Sequence, residues 1–194
     1  MKEILMSIRP EWGKKIFNGE KTIEVRKTRP LIDMPFKVIV YETKGQFIKS
    51  VKGACTTYGY GRGKVIGSFV CDRIVDIKIN GDDCGNYWHE WSDECDIEDM
   101  YLSYEELEIY LGKSVGYGWH ITEPKLFDKP RELCEFCVPC KEYDSDKPHC
   151  GECDYYSYSP NDSGDAQEEC LCNGSKPIRR PPVSWCYIEG GNRE

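Results

Sequence analysis

"GEKTIEVR", residues 19–26, places Lys21, Glu24 and Arg26 within six positions, straight after a short helical pattern. Read as a strand, Thr22 to Arg26 alternates: Thr22, Glu24 and Arg26 point one way, Ile23 and Val25 the other. The apolar pair is then expected in the core, and the opposite charges on the exposed face. That arrangement is either a solvated surface strand or a site, and the flanking sequence has to decide which.

Upstream, "SIRPEWGKKIFNG" predicts a strand end followed by a helix, with Pro10 suited to the first turn and Gly19 to the C-terminal stop. Trp12, Ile16 and Phe17 share a face at helical spacing. Downstream, "KVIVYET" predicts a second strand, and "GKVIGSFVCDRIVDIKI" one long or two shorter strands with a bulge at Gly67. "YLSYEELEIYLG" predicts a helix capped by Ser103 and Glu106 and ended by Gly112. "YGWHITEPKLFDKP" and "VSWCYIE" resume strand character. Residues 82–99 and about 135–177 lack sustained periodicity and are expected to be loops. Many short strands with few helices give an α+β class: a small mixed β-barrel with flanking helices. Closure of such a barrel makes its first and last strands neighbours, so "SWCYIE" is expected beside "EILMSI".

The chain has 194 residues, enough for one domain with an elaboration, and a formal net charge of −8. Charge of that sign argues against nucleic acid until it is divided. Residues 82–99 carry eight acids and no Lys or Arg, a net −8. Residues 132–176 carry eleven acids against Lys141, Lys147 and Lys176, again −8, so the remainder sums to +8. The acidic total conceals a basic body, as a phosphate-bearing partner requires. No run approaches the roughly 18 apolar residues of a membrane span and "MKEILMSIRP" lacks a signal-peptide core, so a soluble, cytoplasmic protein is expected.

Seven of the twelve cysteines, from Cys134 to Cys172, crowd one segment. Cys137-x2-Cys140 and Cys150-x2-Cys153 are spaced to aim paired thiolates at one tetrahedral Zn(II), and Cys170-x-Cys172 adds two more sulfurs. The segment is acidic and poor in aliphatics, so metal binding would supply the folding free energy its core cannot. One structural ion held by four of Cys137, Cys140, Cys150, Cys153, Cys170 and Cys172 is expected. Which four is open: Cys140, Cys150 and Cys153 with either Cys170 or Cys172 is one set, and two ions is another. The domain reading is thus a barrel over 1–135 with its acidic loop 82–99, a zinc-binding insert over 136–177, and a closing strand with tail over 178–194.

The pattern Gly19-x-Lys21-x-x-Glu24-x-Arg26 between a short helix and an early strand resembles the signature of the ASCH (activating signal cointegrator homology) domain. "ILMSIRPEWGKKIFNGEKTIEVRKTRP" is similar to that family's opening, "GKVIGSFVCDRI" to its middle strand and "YGWHITEPKLFDKPREL" to its later strand. "RPPVSWCYIE" resembles the closing strand of bacterial and phage-type members. The resemblance implies a fold like the PUA (pseudouridine synthase and archaeosine transglycosylase) barrel, with an RNA- or nucleotide-facing cleft built around the motif.

Two readings of function follow. In a binding module, Lys21 and Arg26 hold phosphate or a carbonyl oxygen, and Glu24 accepts amino protons from a base edge. In an enzyme, Lys21 serves as base, and Glu24 or Glu98 activates water. A related branch hydrolyses the acyl amide of N4-acetylcytidine, but carries threonine where this chain has Glu24, so a threonine nucleophile does not transfer. Another member is implied to cleave RNA. A third class is an adaptor that uses its acidic segments as a contact surface. Lys27 and Arg29 are expected phosphate contacts, and Tyr58, with Tyr60 and Arg62, is expected in a glycine-rich loop suited to follow a backbone. Trp119 and His120 are expected either to stack on and hydrogen-bond a base or to be a core tryptophan and a strand histidine. Arg179 and Arg180 stand where the insert rejoins the barrel.

Overall fold

The computed structural model describes residues 1–52, 55–81, 87–92, 95–112, 115–139, 156–160, 166–170 and 174–189. The chain opens with β1 (Glu3–Ile8), α1 (Pro10–Phe17), β2 (Ile23–Arg26) and β3 (Phe36–Glu42). It continues through β4 (Gln46–Lys52), β5 (Cys55–Tyr60), β6 (Lys64–Gly81) and β7 (Tyr87–Trp91). Two helices follow, α2 (Ile97–Met100) and α3 (Tyr104–Leu111), then β8 (Gly116–Arg131) and a 3-10 turn at Leu133–Glu135. Short strands complete it: β9 (Cys137–Pro139), β10 (Tyr156–Pro160), β11 (Ala166–Cys170), β12 (Ser175–Pro177) and β13 (Trp185–Ile188).

The main sheet runs β13-β1-β3-β6-β8-β2, with β7 added on β6. β1 and β3 are parallel, Glu3 opposite Lys37 through Ile8 opposite Glu42, with α1 in the crossover between them. The other ladders of this sheet are antiparallel. β6, 18 residues long, meets β3 at its start and β7 at its end, and β8 follows it for most of its course. Register shifts interrupt the β6 ladders at Val65/Gly67, Ser68/Val70 and Cys71/Ile74, and each such irregularity adds right-handed twist. The long strands therefore curl the sheet.

β13 pairs with β1 as expected, but the ladder does not close. Among the described residues β2 and β13 end the main path of strands without pairing, so the predicted barrel is an incompletely closed sheet. β2 has only four residues, and the chain beyond it contains Pro30, which has no N–H to offer a ladder. Two loop expectations also give way. Residues 82–99 include β7 and α2, and the cysteine-rich stretch includes the paired strands β9 with β12 and β10 with β11. The stretch around Tyr58 is a strand, β5, paired with β4. These strands were hidden because polar and glycine-rich composition outweighed short strand-like runs such as "YWHEW".

β1 is buried on both sides. Ile4, Met6 and Ile8 face the main core with Ile16, Phe36, Val38, Phe69 and Trp119. Leu5 faces a second cluster with Ile39, Tyr41, Val65, Leu133 and Ile178. A third cluster holds Ile23 and Val25 beneath Met100, Leu107 and Leu111 of the two short helices. No helix among the described residues is long and apolar enough to cross a membrane.

Gly67 sits at one of the bulges, as its sequence context predicts, and also where β6 is crossed closely. A Cβ there would lie 2.4 Å from the Lys125 carbonyl oxygen and 2.7 Å from the Phe17 ring. Gly67→Ala is therefore expected to cost about 1–3 kcal/mol of stability through overpacking, read as a lower midpoint in urea with an unchanged slope.

Candidate functional site: a buried lysine, glutamate and arginine

Strand alternation separates the side chains of β2 as expected, but both of its faces are covered. Ile23 and Val25 lie under α2 and α3. Glu24 and Arg26 face the inside of the curled sheet, opposite Trp119 and Tyr117 of β8. The charges are thus not on an exposed face: Lys21 is 2% exposed, Glu24 6% and Arg26 7%. The polar side of this strand turns inward because the adjoining tertiary structure wraps over it, which a period-2 pattern cannot register.

The three groups converge. Glu24 Oε1 is 2.9 Å from Arg26 Nη2, and its Oε2 is 3.6 Å from Lys21 Nζ. Lys21 donates to the Met100 carbonyl at the end of α2, and its Nζ stands 5.3 Å from the Trp12 ring centre. Thr22 ties the start of β2 to the same helix, its N–H to Asp99 O at 3.0 Å and its hydroxyl to Asp99 Oδ1 at 2.9 Å. Arg26 Nη2 donates to Ser7 O at 2.8 Å and Nη1 to Ser184 Oγ at 3.4 Å. Arg26 thereby links β2 to β1 and to the segment entering β13. Trp185 Nε1 donates to Thr28 Oγ1 at 3.1 Å across the same opening, and Ser7 binds the far side through Ser184 O and Pro182 O.

Burial pushes the Lys21 amine below its ordinary value, and neighbouring Glu24 partly offsets this. Among the described residues, Arg26 Nε is buried without a hydrogen-bond partner. The site therefore offers a guanidinium held in place by its neighbours with one donor unspent, a carboxylate between two cations, and an amine whose proton is less tightly held. Such a set can grip an anionic or carbonyl oxygen and can move a proton.

The remaining predicted residues are distributed around it. Lys27 and Arg29 are exposed just beyond β2, Lys27 Nζ 5.4 Å from the Tyr110 ring centre and Arg29 Cζ 5.5 Å from that of Tyr117. Trp119 is fully buried, edge-on to Phe36 at 5.4 Å and 5.7 Å from Trp185, so it is the core tryptophan of the two alternatives and offers no face for stacking. His120 points to the other face of β8, where its Nδ1 lies 2.6 Å from Asp72 Oδ1, and it does not join the cluster. Glu98 is exposed on α2. Tyr60 is exposed, and the Arg62 N–H donates to Glu42 Oε1 at 2.8 Å; the Tyr58 side chain lies outside the described residues. Arg179 and Arg180 are exposed and, with Lys176, Ile178 and Pro182, line a separate concavity of about 430 Å³.

Of the six proposed zinc ligands, Cys140, Cys150, Cys153 and Cys172 lie outside the described residues, as does the side chain of Cys170. Cys137 is half-buried on β9, opposite Pro177 of β12. Among the described residues no group of three or more His, Cys, Asp or Glu is placed to hold a metal ion. Cys71 is a core residue whose thiol burial pushes up to about 12.

Sequence reasoning missed Ser7, Ser184, the Met100 carbonyl and Tyr110. Tyr110, near the end of α3, is 37% exposed and its hydroxyl meets the Arg26 side chain; burial raises its proton affinity, and the guanidinium opposes that. None of these carries a local signal, since each reaches β2 from a distant part of the chain.

A curled α+β sheet with an ionic cluster sealed into one edge defines the class of protein. Its family is shown by a match to the model of the ASCH domain over residues 6–131, and the chain belongs to that family. The ASCH protein of Zymomonas mobilis is a similar solved structure, 22% identical, covering 68% of this chain and 74% of that one with a TM-score of 0.44. A point variant of that protein is 20% identical, with coverage of 69% and 77% and the same TM-score of 0.44. No curated protein matches.

Two outcomes follow from the geometry. Arg26→Ala leaves Glu24 buried beside Lys21 alone and opens the seam, and is expected to cost about 3–5 kcal/mol in chemical denaturation. Lys21 releases its proton more readily folded than unfolded, so its burial makes stability rise with pH between the lowered folded value and the ordinary 10.5. Lys21→Met is expected to flatten that alkaline rise relative to wild type, measured as melting temperature against pH.

Proposed function

We propose that this chain binds RNA, or a nucleotide derived from it, through a cleft built around Lys21, Glu24 and Arg26. The observation that carries the reading is the buried cluster itself, in which two cations flank one carboxylate and Arg26 Nε has no hydrogen-bond partner among the described residues. A nucleotide supplies what such a cluster lacks: an anionic or carbonyl oxygen for the guanidinium, and exocyclic amino protons for the carboxylate. Membership of the ASCH family and the basic charge of the body outside the two acidic segments support the same reading. The neighbours that hold Arg26 have already ordered it, so binding loses little side-chain entropy there.

A hydrolase is the second reading, favoured by the lowered proton affinity of Lys21. The Lys21 amine, 3.6 Å from the Glu24 carboxylate and with its proton less tightly held, is placed to exchange a proton with water attacking an acyl carbon, as hydrolysis of an N4-acylated cytidine would require. We further propose that the cysteine-rich insert holds one structural Zn(II) through four of Cys137, Cys140, Cys150, Cys153, Cys170 and Cys172. The β10–β11 ladder supports this, since it sets Cys170 opposite Tyr156, three residues after Cys153 in the chain.

Fluorescence anisotropy with a labelled single-stranded RNA tests the binding reading. The logarithm of the affinity should fall linearly with the logarithm of salt concentration, and Arg26→Lys, which keeps the charge but loses the fork, should weaken binding about 10- to 100-fold. A wild-type protein with no affinity for RNA or nucleotides would sink the proposal. Deacetylation of N4-acetylcytidine that disappears in Lys21→Ala and Glu24→Ala would establish the hydrolase instead. Metal analysis of reduced, purified protein should find close to one zinc per chain, and a value near zero removes the zinc proposal.

A further inference from the structure

With Trp119 sealed in the core, the stacking surface that an unpaired base requires has to come from elsewhere. Two tyrosines stand at the Arg26 end of β2. Tyr117 on β8 is the cross-strand partner of Arg26, and its ring packs against the edge of the main core. Tyr110 projects from the last turn of α3 with over a third of its surface open, its hydroxyl against the Arg26 side chain. Each ring has its own cation: Lys27 for Tyr110 at 5.4 Å and Arg29 for Tyr117 at 5.5 Å. These cations come from one short exposed segment, Lys27 and Arg29 standing directly after the motif. Arg29 is also 3.8 Å from Asp76, but both side chains are about half exposed, so this pair is readily exchanged for another anion.

Resting on the RNA-binding reading above, we propose that Tyr110 and Tyr117 form a stacking platform for unpaired bases of single-stranded RNA, and that Lys27 and Arg29 take the adjoining phosphates. Aromatic faces interleaved with cations suit single strands, because every base has a π-face and every linkage a negative charge. Core packing behind Tyr117 and the guanidinium beside Tyr110 hold both rings before the ligand arrives, and Arg26 stands next to them to meet the base edge or sugar-phosphate. A duplex would keep its bases stacked on one another and leave these rings unused.

The test is an anisotropy titration of the full chain with a labelled single-stranded 12-nucleotide RNA and with the same RNA carrying abasic positions. Tyr110→Ala should weaken binding of the intact RNA roughly 5- to 100-fold, and Tyr110→Phe should recover most of that loss. The abasic RNA should bind wild type more weakly than the intact RNA, and Tyr110→Ala should largely erase the difference. Lys27→Ala and Arg29→Ala should each lower the salt slope by about one. If Tyr110→Phe loses as much as Tyr110→Ala, the hydroxyl is merely propping Arg26 and the platform is overturned. Unchanged affinity in Tyr110→Ala also overturns it, while the RNA-binding reading survives. Absence of any RNA affinity in wild type overturns both.

Discussion

The guanidinium of Arg26 occupies the place where backbone hydrogen bonds would otherwise close the sheet. β2 and β13 are edges of one strongly curled sheet, and instead of a ladder between them there are side chains: Arg26 to Ser7 and Ser184, and Trp185 to Thr28. Closure by a charged group has a requirement that closure by a ladder does not. The charge must be compensated where it is buried, and Glu24 does this at 2.9 Å. Glu24 in turn needs more than one donor to satisfy its oxygens, and Lys21 supplies the other side. The three motif residues are therefore linked by necessity: each makes the burial of the next tolerable.

Part of the acidic segment serves this cluster. Asp99 binds Thr22 through both backbone and side chain, and Met100 accepts from the Lys21 amine, so α2 fixes the start of β2 and the position of the lysine. Negative charge in the region is thus not simply a repulsive surface standing apart from a basic body. Burial of the Lys21 amine beside this carboxylate loosens its hold on the proton, a property compatible with either recognition or proton transfer.

The family match ends at residue 131, and the cysteine-rich segment lies beyond it. That segment is nonetheless anchored to the body: β9 and β12 pair with each other, Ile178 beyond β12 packs in the second core cluster, and Glu189 donates to the Cys137 carbonyl at 3.1 Å. The chain then returns past Pro182 and Ser184, whose oxygens bind Ser7 and Arg26, before β13 pairs with β1. The segment after the cysteine-rich stretch therefore completes the ionic cluster as well as the sheet.

Sequence by itself determined the elements whose signals are local. The Pro10 start of α1, the Ser103 and Glu106 capping box of α3, the bulge at Gly67 and the strand character of β3, β6, β8 and β13 all follow from residue type and spacing, and so does the family of the motif. It also placed Glu24 and Arg26 on one side of a strand. Tertiary structure alone decided that this side is buried, that Trp119 is core and His120 is turned away, and that Tyr110, Ser184 and the Met100 carbonyl meet the motif. The physical reason is range: periodicity reports which residues share a face, whereas the burial of that face depends on what the chain brings against it from about 80 to 160 positions away.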